Sequence, residues 1–457
     1  MSIQYPETRW GGISDGNARP DGYFRVAKRD EIFWLVDPNG GRFISKGVNT
    51  VRFDQDRIQN SDRIPYAEAC AAKYGSKAAW RAGVARRLAL WGFNTLGAWS
   101  DEEVANAGPS PLALAPNLNL GMSFAWQKNE KAAPADELYF PDVFDPDFER
   151  HVQRNAEALC GQRREERNIL GWFIDNEMRW GSDWRGPDEL LVLFLQMPVA
   201  TPGRNAAVKW QRERYSDFKS FNATWHTLAD SWDAFGRLPW IDSPYQRRPI
   251  YQRNPRDEDA ANRADPARAA FMADCDAFAG LVAERYFALT CAAIKAADPH
   301  HLLLGSRFAY VPPAGVIDAA ARHADLISIN CYDLDASQTI DAYAATGKPC
   351  LIGEFSFRGA DSGLPNTGGG GPLVATQAER AARFRHYVTA ALRKPTLVGY
   401  HWFEHADQPA EGRCLDGENS NFGTVTIDDR VYDELIQAMT DVNAEAEGLH
   451  AGAALVA

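Results

Sequence analysis

The sequence predicts an α/β chain folded as a (β/α)8 TIM barrel, with an N-terminal β-hairpin and a long insertion after strand 4. Three observations carry that prediction. Eight short apolar runs follow one another along the chain, each of a length suited to one strand buried on both faces. Stretches with apolar residues at helical spacing separate them, as in parallel α/β folds. Two of the runs stop at a glutamate: GWFIDNE at Glu177 and CLIGE at Glu354. Chemistry in such folds sits where parallel strands end. No segment repeats at a fixed period.

The elements follow in order. YFRVA, IFWLVD, a Pro-Asn-Gly-Gly turn and RFISKGVN read as a hairpin that runs into the first strand and ends near Asn49 and Arg52. Trp80, Val84, Leu88 and Trp91 then recur at helical spacing, and Gly92 fits a C-terminal cap. FNTLGAWS (93–100) is the second strand, and LNLGMSFAW (118–126) is the third, with Trp126 at its tip. A helix near 146–161 leads into ILGWFIDNE, the fourth strand. HLLLGSRFA (301–309), DLISINCYD (325–333), CLIGEFSF (350–357) and LVGYHWFEH (397–405) complete the eight, with helices expected near 275–297, 376–393 and 429–446.

The expected organisation is an N-terminal β segment over 1–42 packed on a barrel over 43–446, and a loose tail over 447–457. The insertion spans 182–297, between strands 4 and 5, and is far longer than one crossover helix. WQRERYSDFKSFNATWHTLADSWDAF inside it reads as helical and aromatic-rich, whereas residues 244–266 are polar and rich in Pro and Arg. An insertion after a barrel strand lies on the catalytic face, so this one should wall one side of the cleft. A structural excursion or an oligomer contact is the competing reading.

Composition narrows the partners. A formal charge of −12 argues against nucleic acid and anionic membrane, which both select basic patches. No apolar run is long enough to suggest a bilayer span. The start, MSIQYPETRWGG, has neither a basic nor an apolar leader segment, and the 7 scattered Cys contain no C-x-x-C pair. A reduced, cytoplasmic chain is therefore expected, or a periplasmic one if a leader has been removed. Aromatics are plentiful, with 14 Trp, 15 Tyr and 23 Phe; core packing and stacking on sugar faces compete as explanations.

Two carboxylates at the tips of two buried strands are what retaining glycoside hydrolysis requires, one as acid/base and one as nucleophile. One of the pair has to be protonated before the reaction and the other ionised. Two nearby carboxyls resist double ionisation, which raises one pKa, and burial beside Trp172 or Trp180 would raise it further. Tyr332 and Arg307 are the candidates to hold the charge of Glu354. The expected carboxyl separation is about 5 to 5.5 Å, the retaining geometry.

With these residues in place, the sequence resembles the clan of retaining glycoside hydrolases built on (β/α)8 barrels. In that clan the acid/base follows an Asn at the end of strand 4 and the nucleophile ends strand 7. The resemblance implies that Glu177 is the acid/base, that Asn176 holds the sugar 2-hydroxyl, and that Glu354 is the nucleophile. It also implies that Tyr332 hydrogen-bonds the nucleophile and that Trp402 is the aromatic platform under the sugar. DNEMRWG, RERYSDFKSFNATWHT, PNTGGGGPLVATQAERAARF and HWFEHADQPAEGRCLDGENSNFG together resemble the β-agarase family, and the RY…N…W element is similar to related β-galactosidases. The match spans roughly residues 23–445. That agarase family commonly carries an extra N-terminal domain and an export signal, and the sequence as read leads one to expect neither here.

Further residues follow from position. Arg52 near the end of strand 1 is read either as a donor to sugar hydroxyls or as a salt bridge at the barrel mouth. Trp99 and Trp126 end strands 2 and 3 and are candidates to touch sugar, as is Asn49. Past strand 8, Asp407, Glu418, Asn419 and Asn421 form a polar loop that matches agarases, with capping and turn duty as the alternative. His401 and His405 point the same way along a strand, but spacing supplies no third ligand, so no metal site and no cofactor are expected. GGGG at 368–371 lacks a phosphate-loop ending and reads as a mobile loop over the site. The expected partner is an oligosaccharide or glycoside, with β-galactosidic bonds preferred over glucosides, mannosides or arabinosides. A non-catalytic carbohydrate-binding barrel is the rival from another class, and the sequence leaves homo-oligomer formation open.

Overall fold

The computed structural model describes residues 6–14, 16, 18–128, 140–245 and 263–455. It is a mixed α/β chain organised by parallel strands. An antiparallel sheet comes first, with β1 (Arg25–Arg29), β2 (Ile32–Val36) and β3 (Arg42–Phe43) in the order β1-β2-β3. The parallel strands are β4 (Ser45–Val48), β5 (Thr95–Leu96), β6 (Ala113–Leu114), β7 (Gly171–Phe173), β8 (Leu302–Gly305), β9 (Ile327–Asn330), β10 (Cys350–Phe355) and, after the small pair β11 (Arg358–Gly359) and β12 (Leu373–Val374), β13 (Leu397–Trp402).

Six of them hydrogen-bond in the order β6-β5-β4-β13-β10-β9, and β7 pairs in parallel with β8. Single parallel bridges, Leu114 with Ile169 and Asn117 with Phe173, connect β6 to β7. Another, Phe308 with Ile329, connects the end of β8 to β9. Every residue of β4, β7, β8, β9, β10 and β13 is buried, which is why β7, β8 and β10 read as continuous apolar runs rather than alternating ones.

The N-terminal sheet has a packing role. Phe24, Leu35 and Phe43 cluster with Ala113, Leu170, Leu302, Leu351 and Val398, residues at or just before the starts of the parallel strands. Phe33 N donates to Pro395 O, and the His450 ring bonds both Phe33 O and Leu392 O. These contacts dock the end of the chain. The helix Asp433–Ala451 runs beyond residue 446 and a short turn of helix follows at Gly452–Leu455, so the expected loose tail is corrected.

The third predicted strand is also corrected. Residues 118–126 do not form a strand: β6 lies earlier, at Ala113–Leu114, and Leu120–Lys128 is a helix. The cause is Asp175. Its buried carboxylate accepts the backbone N–H groups of Gly121 and Met122, at 2.7 and 2.9 Å, which satisfies the first turn of a helix in place of a sheet ladder. An apolar run that is buried on all sides has no period to tell helix from strand.

The insertion holds helices Leu190–Gln196, Pro202–Arg214, Phe218–Trp225 and Trp232–Arg237 before the long crossover helix Ala269–Ala297. Much of the predicted polar stretch, residues 246–262, lies outside the described residues. The RY…W element closes on one carboxylate: Asp274 accepts from Arg214 Nε at 2.6 Å, Tyr215 OH at 2.5 Å and Trp225 Nε1 at 2.9 Å. These residues tie the insertion to the crossover helix. Ala269–Ala297 is long and apolar enough to cross a membrane by length and composition, which the sequence did not lead one to expect. It packs between helices Pro146–Leu159 and Ala314–His323 and buries Phe271, Phe278, Val282, Tyr286 and Ile294, as a core helix does.

Candidate active site

The site assembles where β7, β8, β9 and β10 end. Asp175-Asn176-Glu177 follows β7, and Arg307 follows β8. Asn330 is the last residue of β9, with Tyr332 just beyond it, and Glu354 lies in β10. Three residues here hold left-handed backbone, Trp99 at φ 61°, Glu177 at φ 49° and Arg307 at φ 47°. Such strain in bulky residues persists only where the surroundings fix it, and it clusters at functional sites.

Arg307 joins the two acidic residues. Its buried guanidinium lies between the rings of Phe173 and Trp99, 4.7 and 4.8 Å from their centroids. Nη2 donates to Glu354 Oε1, and Nε donates to Asn176 Oδ1 at 2.7 Å. The Tyr332 hydroxyl donates to the other oxygen of Glu354 at 2.6 Å. Glu354 therefore meets a cation and a phenol, the two partners expected for it. The Tyr332 phenol is pushed well above its usual pKa, by burial first and then by the charges of Glu354 and Glu177, so it stays a donor.

Glu177 has a different environment. Its Oε1 accepts from Asn330 Nδ2 at 2.9 Å, and the same nitrogen lies 3.1 Å from Asn176 Oδ1. Burial, and then the charge of Glu354, push its pKa up to about 7, while Arg185, Asn330 and Arg307 oppose the rise. A proton held near neutrality on one carboxyl beside a cation-bound partner is the acid/base division of labour seen in two-carboxylate sites. Asn330 was not anticipated from the sequence. It sits inside the apolar run ISIN, where an Asn reads as a strand end rather than a ligand to a carboxyl.

A glycine-rich loop covers this centre. A Cβ on Gly370 would sit 3.1 Å from Tyr332 Cγ, and one on Gly371, at φ +86°, would sit 2.7 Å from Ser356 O and 3.2 Å from Tyr332 Cδ1. Glycine is required for the backbone to approach the Tyr332 ring so closely. The Arg358 guanidinium holds the loop by donating to the carbonyls of Asn366, Gly368 and Gly371, and Asn419 Oδ1 accepts from Thr367 N and Oγ1. The loop lies over the site as expected, but as a docked segment rather than a free one.

Several predicted contacts are structural instead. Trp402 is fully buried, donates Nε1 to Phe422 O at 2.9 Å and packs against Phe355 and Phe384, so it offers no open face. The next residue, Phe403, carries the edge-to-face contact with Tyr332, at 6.4 Å. Asn49 is saturated: Nδ2 donates to Gly353 O and Trp402 O, and Oδ1 accepts Ala98 N. Asp407 binds Asn421, Gly423 N and Tyr432, and Asn421 also accepts from Gly359 N and Gln377. Capping and turn duty is thus the reading that fits Asp407, Asn419 and Asn421. Arg52 pairs with Asp54 at 3.1 Å on the surface, the salt-bridge alternative.

Trp126 is on a helix with 51% of its surface exposed and does not end a strand. Trp99 stands at the mouth with Arg307 on its face. Glu418 accepts from Gln408 Nε2 and Arg413 Nη2, each at 2.8 Å, and is close enough to Glu354 for the two charges to interact. His401 and His405 bond separate partners, His401 to Ser45 and His405 to Tyr66 and Arg87; burial lowers both pKa values to about 3. No group of His, Cys, Asp and Glu among the described residues could hold a metal ion.

Two curated proteins from Vibrio sp. (strain JT0107) match along nearly the whole chain. β-Agarase A is 30% identical over 96% of this chain and 48% of its own length. β-Agarase B is 26% identical over 95% of this chain and 49% of its own length. The chain is similar to β-agarases. It spans about half the length of these curated relatives. Among solved structures, an exo-β-agarase superposes with a TM-score of 0.78 at 23% identity, covering 98% of this chain and 69% of that one. A second agarase gives 0.76 at 24% identity, over 97% and 68%. The β-agarase-like fold therefore extends over essentially all of this chain, while no family model matches it.

Proposed function

We propose that the chain is a retaining β-glycoside hydrolase on a closed (β/α)8 barrel, acting on β-galactosidic bonds in agar-type or other galacto-oligosaccharides. The barrel reading is supported by parallel pairings and bridges that can be followed from β4 through every parallel strand and back to β4. The observation that carries the chemistry is the unequal treatment of two carboxyls at one centre. Glu354 is held by Arg307 and Tyr332, whereas Glu177 is raised to about 7. The galactosidic preference follows from the similarity to β-agarases.

In this mechanism Glu354 attacks the anomeric carbon. The glycosidic C–O bond breaks as Glu177 gives its proton to the leaving oxygen, leaving a glycosyl ester on Glu354. Glu177, now ionised, takes a proton from water as the water oxygen attacks the same carbon, and Glu354 leaves as a carboxylate. Asn176 Oδ1 is occupied by Arg307 and Asn330, which turns the amide nitrogen into the group available for a sugar 2-hydroxyl. Double displacement calls for a carboxyl separation of about 5 to 5.5 Å.

A panel of aryl β-glycosides and agar-derived oligosaccharides tests the reading. Turnover of β-galactosides that disappears in Glu354→Ala is expected, with the β-anomer as first product by NMR. Absence of turnover on every β-glycoside would return the chain to the carbohydrate-binding class.

A further inference from the structure

We propose that Trp184, backed by Arg185, is the stacking platform for the sugar ring on the leaving-group side of the scissile bond. The proposal rests on the reading of Glu177 as proton donor. That donor meets the glycosidic oxygen, so the leaving sugar must lie on the Glu177 side of the centre.

The loop that reaches this side is the first part of the insertion. Arg185 Nη1 donates to the backbone carbonyl of Glu177 at 2.7 Å, while Nε and Nη2 bind Asp183 Oδ2 at 3.0 and 2.5 Å. Asp183 and Gly186 close a tight turn by reciprocal backbone hydrogen bonds of 3.0 and 3.3 Å. The turn rests on buried Arg179: a Cβ on Gly186 would come within 2.3 Å of that guanidinium. The segment is therefore built to hold one geometry.

At its tip the indole of Trp184 is 45% exposed. The large fully buried side chains of this protein include Trp80, Trp172, Trp180, Trp225 and Trp402, so an indole left in solvent on a rigid turn stands out. Of the other exposed tryptophans, Trp126 is on the helix Leu120–Lys128 and Trp240 hydrogen-bonds Asp242. One face of Trp184 is covered by the Arg185 guanidinium, 4.3 Å from the ring centroid. A cation on one face leaves the other as an apolar surface suited to the C–H face of a sugar. The guanidinium edge adds donors for its hydroxyls. The ligand class is the leaving-side residue of a β-linked oligosaccharide.

Two substrates that share the galactosyl group separate this role from a structural one. β-Galactosyl fluoride has no leaving sugar, and an agar-derived oligosaccharide has one. Trp184→Ala should lower kcat/KM on the oligosaccharide about tenfold or more, the scale of one aromatic contact. Its effect on the fluoride should stay within about twofold. Trp184→Phe, which keeps a ring, should fall between the wild type and Trp184→Ala and is read the same way if the alanine variant does not fold. Equal losses on both substrates, or no loss on the oligosaccharide, would overturn the platform while leaving the hydrolase intact. A wild-type chain that turns over neither substrate would remove the hydrolase reading and the platform with it.

Discussion

Asn330 donates its side-chain amide to Glu177 Oε1 at 2.9 Å, and the same nitrogen lies 3.1 Å from Asn176. This contact favours the ionised form of Glu177 and opposes burial and the charge of Glu354, which raise its pKa to about 7. Asn330→Ala should therefore move the alkaline limb of kcat/KM against pH to higher pH, because the acid form persists further. The loss of positioning should also lower kcat/KM by about tenfold at the optimum. A pH–rate profile of the variant reads both effects.

The same raised pKa has a stability consequence. A carboxyl that binds its proton more tightly folded than unfolded stabilises the fold fully below its unfolded value, near 4.5, and loses that contribution as pH rises through about 7. Above neutrality the ionised Glu177 is a cost to the fold. Glu177→Gln should abolish turnover yet be more stable than wild type at pH 8, by about 1–3 kcal/mol, with little difference at pH 4.5. Denaturant melts at the two pH values give the comparison.

Gly371 and Gly363 have nearly the same backbone, at φ +86° and +82°, but different surroundings. Alanine at either should cost about 1 kcal/mol of stability from the left-handed conformation. At Gly371 the added Cβ also meets Ser356 O and the Tyr332 ring, whereas at Gly363 nothing lies within 4 Å. Gly371→Ala should reduce kcat/KM about tenfold or more by displacing Tyr332 from Glu354, and Gly363→Ala should leave it unchanged. Parallel kinetics and thermal melts on the pair separate strain from function.

Asn49 and Trp402 are predicted to matter for folding rather than for sugar. Asn49→Ala removes bonds to Gly353 O and Trp402 O and takes from buried Ala98 N its acceptor, and should destabilise by about 2–4 kcal/mol. Trp402→Phe removes the bond to Phe422 O and some packing, for about 1–3 kcal/mol. The folded fraction of each should retain the wild-type KM. Phe403→Ala, beside Tyr332, should raise KM instead.

Much of this was legible in the sequence, for a physical reason. The strands before Glu177 and Glu354, GWF and CLIG, are buried on both faces and carry no charged residue, so the two acids announce themselves where these runs stop. Arg307 and Tyr332 could be paired with Glu354 because each follows such a run. What could not be read was direction. Trp402 ends β13 and Phe403 follows it, and only the tertiary fold decides which ring turns into the core. Asn49 and Asn421 carry the residue type of a sugar ligand, yet their bonds are spent on backbone groups that only the tertiary fold supplies. Residues 118–126 lacked a clear period because most of the segment is buried, and the Asp175 cap that makes it helical comes from more than fifty residues away.

The central claim is that Glu354 forms a covalent bond to the sugar while Glu177 works on the proton. Incubation with 2-deoxy-2-fluoro-β-galactosyl fluoride, followed by peptide mapping, tests it most directly. Mass added to the peptide containing Glu354, absent in Glu354→Ala, is the predicted result. A label on any other residue, or inverted product in the absence of any label, would contradict it.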